Sequence, residues 1–224
     1  DLPQAIAVAN AGDCIALAGG TYQGGQLPDG VSLLGAGAAR STVTGSGAQV
    51  LHVAGGEGAL IRGVKITGTG QGLVVEQARQ LRVEQVWIAG VSDIGVQVFD
   101  AQQITLANVH IDGVAALQAG YEGVGVFSVR GVGVVLERVL VERAEGSAVM
   151  TRDGDLQVIS SVLRDNAGYG IVASCATCVG NPAAVVPQVR IQDNLVERHL
   201  GVGILLRAVD AVVTGNRVAF TGAY

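Results

Sequence analysis

The chain has 224 residues, 34 of them glycine, with 49% hydrophobic, 15% charged and 4% aromatic residues. The hydrophobic content excludes a disordered chain, and four prolines without a Gly-X-Y period exclude collagen. The net charge is −5 and Lys65 is the only lysine, so no basic cluster is present to grip nucleic acid; nor does any apolar run approach the roughly 18 residues of a membrane-spanning helix.

In chain order, a weak first copy of a repeat runs from Val50 through Ile61 and Ile66. From Gly72 onward the repeat is clear. A small residue followed by an alternating apolar stretch recurs at Gly72, Gly95, Gly125, Ser147, Gly170 and Gly203. Each is followed by an apolar triplet spaced i, i+2, i+7: Leu81/Val83/Ile88, Ile104/Leu106/Ile111, Val134/Leu136/Val141, Leu156/Val158/Leu163, Val189/Ile191/Val196 and Ala211/Val213/Val218. Successive copies start 23, 30, 22, 33 and 22 residues apart, so the period is 22–23 with insertions near 114–122 and 176–188. The apolar segments have period 2 and are too short for helices, and no helical stretch separates them. This excludes βαβ folds and leaves an all-β solenoid of about eight coils, with parallel strands stacked ~4.8 Å apart and glycines at the bends.

Stacking turns sequence positions into columns. Val64, Val86, Val109, Val139, Ser161, Asn194 and Asn216 share one, whose last three members are placed to form a side-chain hydrogen-bond ladder. Glu142-Arg143, Arg164-Asp165 and Glu197-Arg198 alternate in sign down two more, the pattern of cross-strand ion pairs. An outward column of Val74, Gln97, Phe127, Val149, Val172 and Leu205 is apolar where a solvated face should be polar. A covering loop, such as 176–188, a partner or a ligand groove would explain it.

The opening segment Asp1-Leu2-Pro3-Gln4-Ala5-Ile6-Ala7-Val8-Ala9-Asn10-Ala11, with Gly12-Asp13-Cys14-Ile15-Ala16-Leu17-Ala18-Gly19-Gly20-Thr21-Tyr22 after it, resembles the first coil of pectate-lyase-like right-handed parallel β-helix proteins. That resemblance, extended by the generic repeat over nearly the whole chain, implies a single domain 1–224. Residues 1–11 would cap it as a helix, with Leu2, Ile6 and Ala9 on one stripe over the open end of the core, and coils would fill 12–224. Right-handedness rests on the resemblance and on the general handedness of parallel crossovers. A start at Asp1 is expected of a mature form or an excised domain, and no cap follows Phe220, so a continuing chain or another element is expected to cover that end.

The resemblance also implies a secreted or cell-surface protein that interacts with a polysaccharide or cell-surface glycan, of the polysaccharide lyase or hydrolase kind. The alternative is a non-catalytic module serving as adhesin, scaffold or spacer, since one fold hosts many functions. The signature motifs of polygalacturonases, pectin methylesterases, pectate lyases and alginate epimerases are all missing from the sequence.

Counting five residues from each coil start brings together Asp100, Arg130 and Arg152, with Asp153 and Asp155 close by. Arginines beside carboxylates suit uronate binding or proton abstraction, so Asp100, Arg130, Arg152 and Asp153 are the catalytic candidates; a solvated charge pair at a turn is the plainer reading. Trp87 shares a column with Lys65, His110 and Leu140, and Trp87, His110, Tyr121 and Asp155 are the substrate-binding candidates, a tryptophan face being suited to a sugar ring. His199 shares a column with Asn166 and reads as a turn residue bonded to a neighbour. Cys175 and Cys178 form a CxxC that suits a disulfide closing the long insertion; zinc would need four ligands and only distant His199 offers itself, so no metal or other cofactor is expected. Cys14 lies coils away from both and cannot reach them.

Overall fold

The structure, a computed structural model, describes residues 1–117, 123–181 and 183–222. Strands of three to six residues cycle through three sheets, in each of which all neighbours run parallel. Sheet A has nine strands, from Cys14–Leu17 to Asp210–Thr214. Sheet B has nine, from Gly20–Gln23 to Arg217–Ala219, and sheet C has eight, from Gly25–Leu27 to Ile204–Arg207. This is the expected solenoid of about eight coils. The apolar triplets form its core: Val83, Leu106, Leu136, Val158 and Ile191 stack in register in sheet A, and Ile88, Ile111, Val141, Leu163 and Val196 in sheet B, all fully buried.

The cap is shorter than expected. Helix α1 spans Leu2–Val8, with Asp1 as N-cap accepting from the Gln4 amide at 2.9 Å. Ala9 is already extended, and Asn10 donates to the Asp13 carboxylate at 2.8 Å, which closes the turn into the first strand. Leu2 is fully buried, and Ala5, Ile6 and Ala9 pack against the core below. At the other end, Val213 and Val218 continue inward columns yet are 44% and 46% exposed.

Many bends are not made by glycine. The corner from sheet C to sheet A places Gln77, Asp100, Arg130, Asp153 and Ala208 in the left-handed region, with φ between 50° and 55°. Such a conformation costs an L-residue about 1–2 kcal/mol. The glycine column Gly72, Gly95, Gly125 serves a different need. A Cβ on Gly95 would lie 2.5 Å from the Gly125 carbonyl oxygen of the next coil, and one on Gly72 would meet Gly95 in the same way.

Register departs from the sequence reading in one coil. Phe127 pairs with Met150 and Val126 with Val149, so Ala148, not Ser147, lies opposite Gly125. Val149 is therefore inward and fully buried, and Met150 takes its place in the outward column. The cause is a corner one residue shorter: Asp153 reaches Leu156 over two residues, where Arg130 reaches Val134 over three.

The ladder forms as expected. Ser161 Oγ accepts from the Val139 amide at 3.0 Å, Asn194 Oδ1 from the Ser161 amide at 2.8 Å, and Asn216 Oδ1 from the Asn194 amide at 2.9 Å.

Candidate functional site

The shifted coil rearranges the candidate residues. Asp153, not Arg152, shares the left-handed column with Asp100 and Arg130. Arg152 lies one residue earlier, in the outward column Phe99, Val129, Arg152, Ser174 and Arg207 at the edge of sheet C. The grouping of Asp100, Arg130 and Arg152 in one column is thus corrected to two adjacent ones, and Arg207 joins the site.

Within the corner row, Arg130 grips Asp100 with two hydrogen bonds, Nε to Oδ1 at 2.6 Å and Nη2 to Oδ2 at 2.8 Å. Its guanidinium also lies 4.5 Å over the Phe99 ring. The hydrogen bonds hold the Asp100 carboxyl below the usual carboxylate range and raise Arg130. Asp153 accepts from the Thr177 amide at 3.0 Å and the Thr177 hydroxyl at 3.1 Å, and the amide bond above all lowers its pKa. Asp155 accepts from the Gln188 amide at 2.9 Å. These last two aspartates therefore pin the two ends of the 176–188 insertion.

A Cys175–Cys178 disulfide forms, but with a separation of three residues it closes only the first turn of the insertion rather than the whole of it, and Cys14 is free and exposed. The clamped segment of the insertion walls a trough of about 360 Å³ lined by Arg152, Ser174, Cys175, Ala176, Val179 and Arg207.

On sheet B, Lys65, Trp87, His110 and Leu140 are in register. The Lys65 ammonium lies 4.3 Å over the Trp87 ring, and the His110 ring stacks on Trp87 at 5.8 Å and 8°. Both are neighbours along the stack, so a sugar ring would have to displace one of them to reach a tryptophan face. His110 Nε2 is 3.1 Å from Glu142 Oε1, and His110, Asp112 and Glu142 hold potential ligand atoms within 4.8 Å of one another. Arginines already serve both carboxylates: Arg164 donates to Glu142 at 2.9 Å, and Arg143 lies 2.6 Å from Asp112. Burial pushes the Glu142 carboxyl up, but hydrogen bonds from Arg164 and His110 outweigh it and leave its pKa lowered. The cluster is part of the cross-strand ion-pair pattern, which continues as Arg198 holds Asp165 at 2.7 and 2.8 Å. His199 is buried, with Nε2 3.1 Å from the Leu163 carbonyl oxygen; that burial lowers its pKa. Tyr121 lies outside the described residues.

With this geometry in place, comparison with known proteins adds family and fold. Residues 46–218 match the family model described as right handed beta helix region. The chain belongs to that family. No curated protein gives a significant match to the β-helix chain. Among solved structures, it is similar to an alginate lyase from Paenibacillus sp. str. FPU-7, with 18% identity and a TM-score of 0.64 over 99% of this chain and 94% of that one. Pectate lyase Pel9A superposes with a TM-score of 0.70 at 15% identity, over 97% of this β-helix and 72% of the lyase. A pectin methylesterase from Yersinia enterocolitica matches at 11% identity and a TM-score of 0.62, covering 97% and 93%. At these identities the likeness is one of fold, including the three-sheet coil and its right-handed winding.

Proposed function

We propose that this chain is an extracellular polysaccharide-binding β-helix, and that its corner between sheets C and A binds glycan without acid–base chemistry. The observation that carries this reading is the open trough beside the corner row, walled by an insertion that Asp153 and Asp155 hold in place. Such a fixed groove on a long rod suits an extended polymer. The named activities of the structural neighbours, alginate lyase, pectate lyase and pectin methylesterase, support a polysaccharide as the class of ligand. A disulfide is at home outside the cell, which supports the location.

The carboxylates argue for binding over hydrolysis. A paired-carboxylate hydrolase needs one carboxyl held protonated near neutral pH. Asp100 and Asp153 are both shifted the opposite way, and each already accepts two hydrogen bonds from the protein. Incubation with a panel of acidic and neutral polysaccharides, followed by size-exclusion chromatography, tests the proposal. Co-elution with glycan of unchanged length is the expected result. Shortened glycan would show a depolymerising enzyme instead, and no association across the panel would leave a scaffold or partner-binding role.

A further inference from the structure

Arg152 and Arg207 stand in one outward column with Ser174 between them, two inter-strand steps and so roughly 10 Å apart along the rod. Both are exposed, and among the described residues neither side chain has a hydrogen bond or a salt bridge, the charge of Arg152 acting only at longer range on the Asp153 carboxylate. This contrasts with the neighbouring row, where Asp100 occupies the guanidinium of Arg130. Ser174 lies on the floor between them, its hydroxyl donating to the Thr151 carbonyl oxygen at 3.5 Å, which leaves the hydroxyl oxygen free to accept. The wall opposite is fixed by the disulfide and by the two bonds from Thr177 to Asp153, so the trough needs no loop ordering on binding.

We propose that Arg152 and Arg207 form an anion subsite that takes a carboxylate or sulfate group carried on a sugar, and that this pair makes the protein selective for acidic over neutral glycans. The inference rests on the polysaccharide reading above and deepens it. A guanidinium presents planar paired donors that match a carboxylate or sulfate edge, and a charge-assisted bond of this kind is among the stronger ones available at a surface. Val179 on the wall supplies an apolar contact for the ring that carries the anion. A sugar hydroxyl can donate to the Ser174 oxygen. Neutral glycans would keep the apolar and hydroxyl contacts but leave both cations unmatched.

The test follows the side-chain Nε–Hε signals of the arginines by NMR during titration with glucuronate, its uncharged methyl ester, and inorganic sulfate. Arg152 and Arg207 are expected to shift together along one saturation curve with glucuronate and sulfate and to stay still with the ester. Arg62 and Arg79, exposed elsewhere on the rod, are the controls. Equal shifts at all four, or none at Arg152 and Arg207, would overturn the proposal. In parallel, Arg152→Gln and Arg207→Gln should each weaken binding of an acidic oligosaccharide by at least about tenfold, the size expected for a charge-assisted hydrogen bond. Unchanged binding in the double variant would refute the subsite while leaving polysaccharide binding in place. Specific shifts with small anions but no association with any polysaccharide would do the reverse.

Discussion

Replacing Asn194 by alanine should be among the more damaging single changes to this rod. The side chain is 2% exposed and spans three coils. Its Oδ1 is the acceptor for the Ser161 amide at 2.8 Å, and its Nδ2 donates to the Val158 carbonyl oxygen at 2.8 Å and to Asn216 Oδ1 at 2.9 Å. Alanine leaves the Ser161 N–H buried with no acceptor, at a cost of about 1–3 kcal/mol, and removes two further bonds worth about 0.5–1.5 kcal/mol each. Part of that loss is recovered, because Asn216 Oδ1 still accepts from the residue-194 amide and the Val158 carbonyl keeps its strand environment. The net expectation is about 3 kcal/mol of lost stability. Urea unfolding followed by circular dichroism measures it, provided the slope m is unchanged; amide exchange at Ser161 reads the same event locally. A loss below about 1 kcal/mol, or full protection at Ser161, would refute the view that the ladder holds this corner.

Gly95→Ala forces a methyl to 2.5 Å from the Gly125 carbonyl oxygen and 2.7 Å from Ile111 Cγ2, and should cost about 1–3 kcal/mol of stability by overpacking, read as a lowered unfolding midpoint; an unchanged midpoint would show that coils can part at no cost. His199 has a folded pKa depressed by burial, so its contribution is complete above the unfolded value near 6.5 and is lost as pH falls below it. Between pH 7 and 5 the wild type should therefore lose stability more steeply than His199→Gln, and parallel profiles would contradict the assignment. Asp165, lowered by its hydrogen bonds from Arg198, acts at more acid pH by the same sign: its contribution is present above about pH 4 and fades as pH falls through the depressed folded value, a slope that Arg198→Gln should flatten. Reduction of Cys175–Cys178 should speed proteolysis near Val185, which is 91% exposed, while leaving the sheet spectrum intact; unchanged cleavage would mean the aspartate clamps alone fix the wall.

The fold could be read from the sequence because stacking forces like onto like: the i, i+2, i+7 triplets are three inward columns, two in sheet A and one in sheet B, and the Asn194–Asn216 spacing equals one coil. The site was harder to read because side-chain period 2 makes a one-residue slip exchange faces. The apolar alternation around Ser147 and Ala148 tolerates either start, since both are small and both are buried. Only the shortened turn at Asp153–Asp155 decides between them, and a turn has no periodicity to reveal a missing residue. That slip drew Arg152 into the column of Asp100 and hid Arg207, which its true register places two strands away. The sandwiching of Trp87 between Lys65 and His110 depends on ring orientation, on which strand spacing is silent.

The corner between sheets A and B holds two residues in every coil from Gly63-Val64 to Gly215-Asn216, and the ladder runs down it. Both long insertions, and the shortened turns at Gly154-Asp155 and Val209-Asp210, fall at the other two corners. From the third coil onward the molecule thus has a spine of constant length and two margins free to vary; only the second coil, with residues 36–40 at this corner, departs from it. New recognition loops could be grafted onto either margin in any coil, because a change there displaces no downstream strand from its place in the stack.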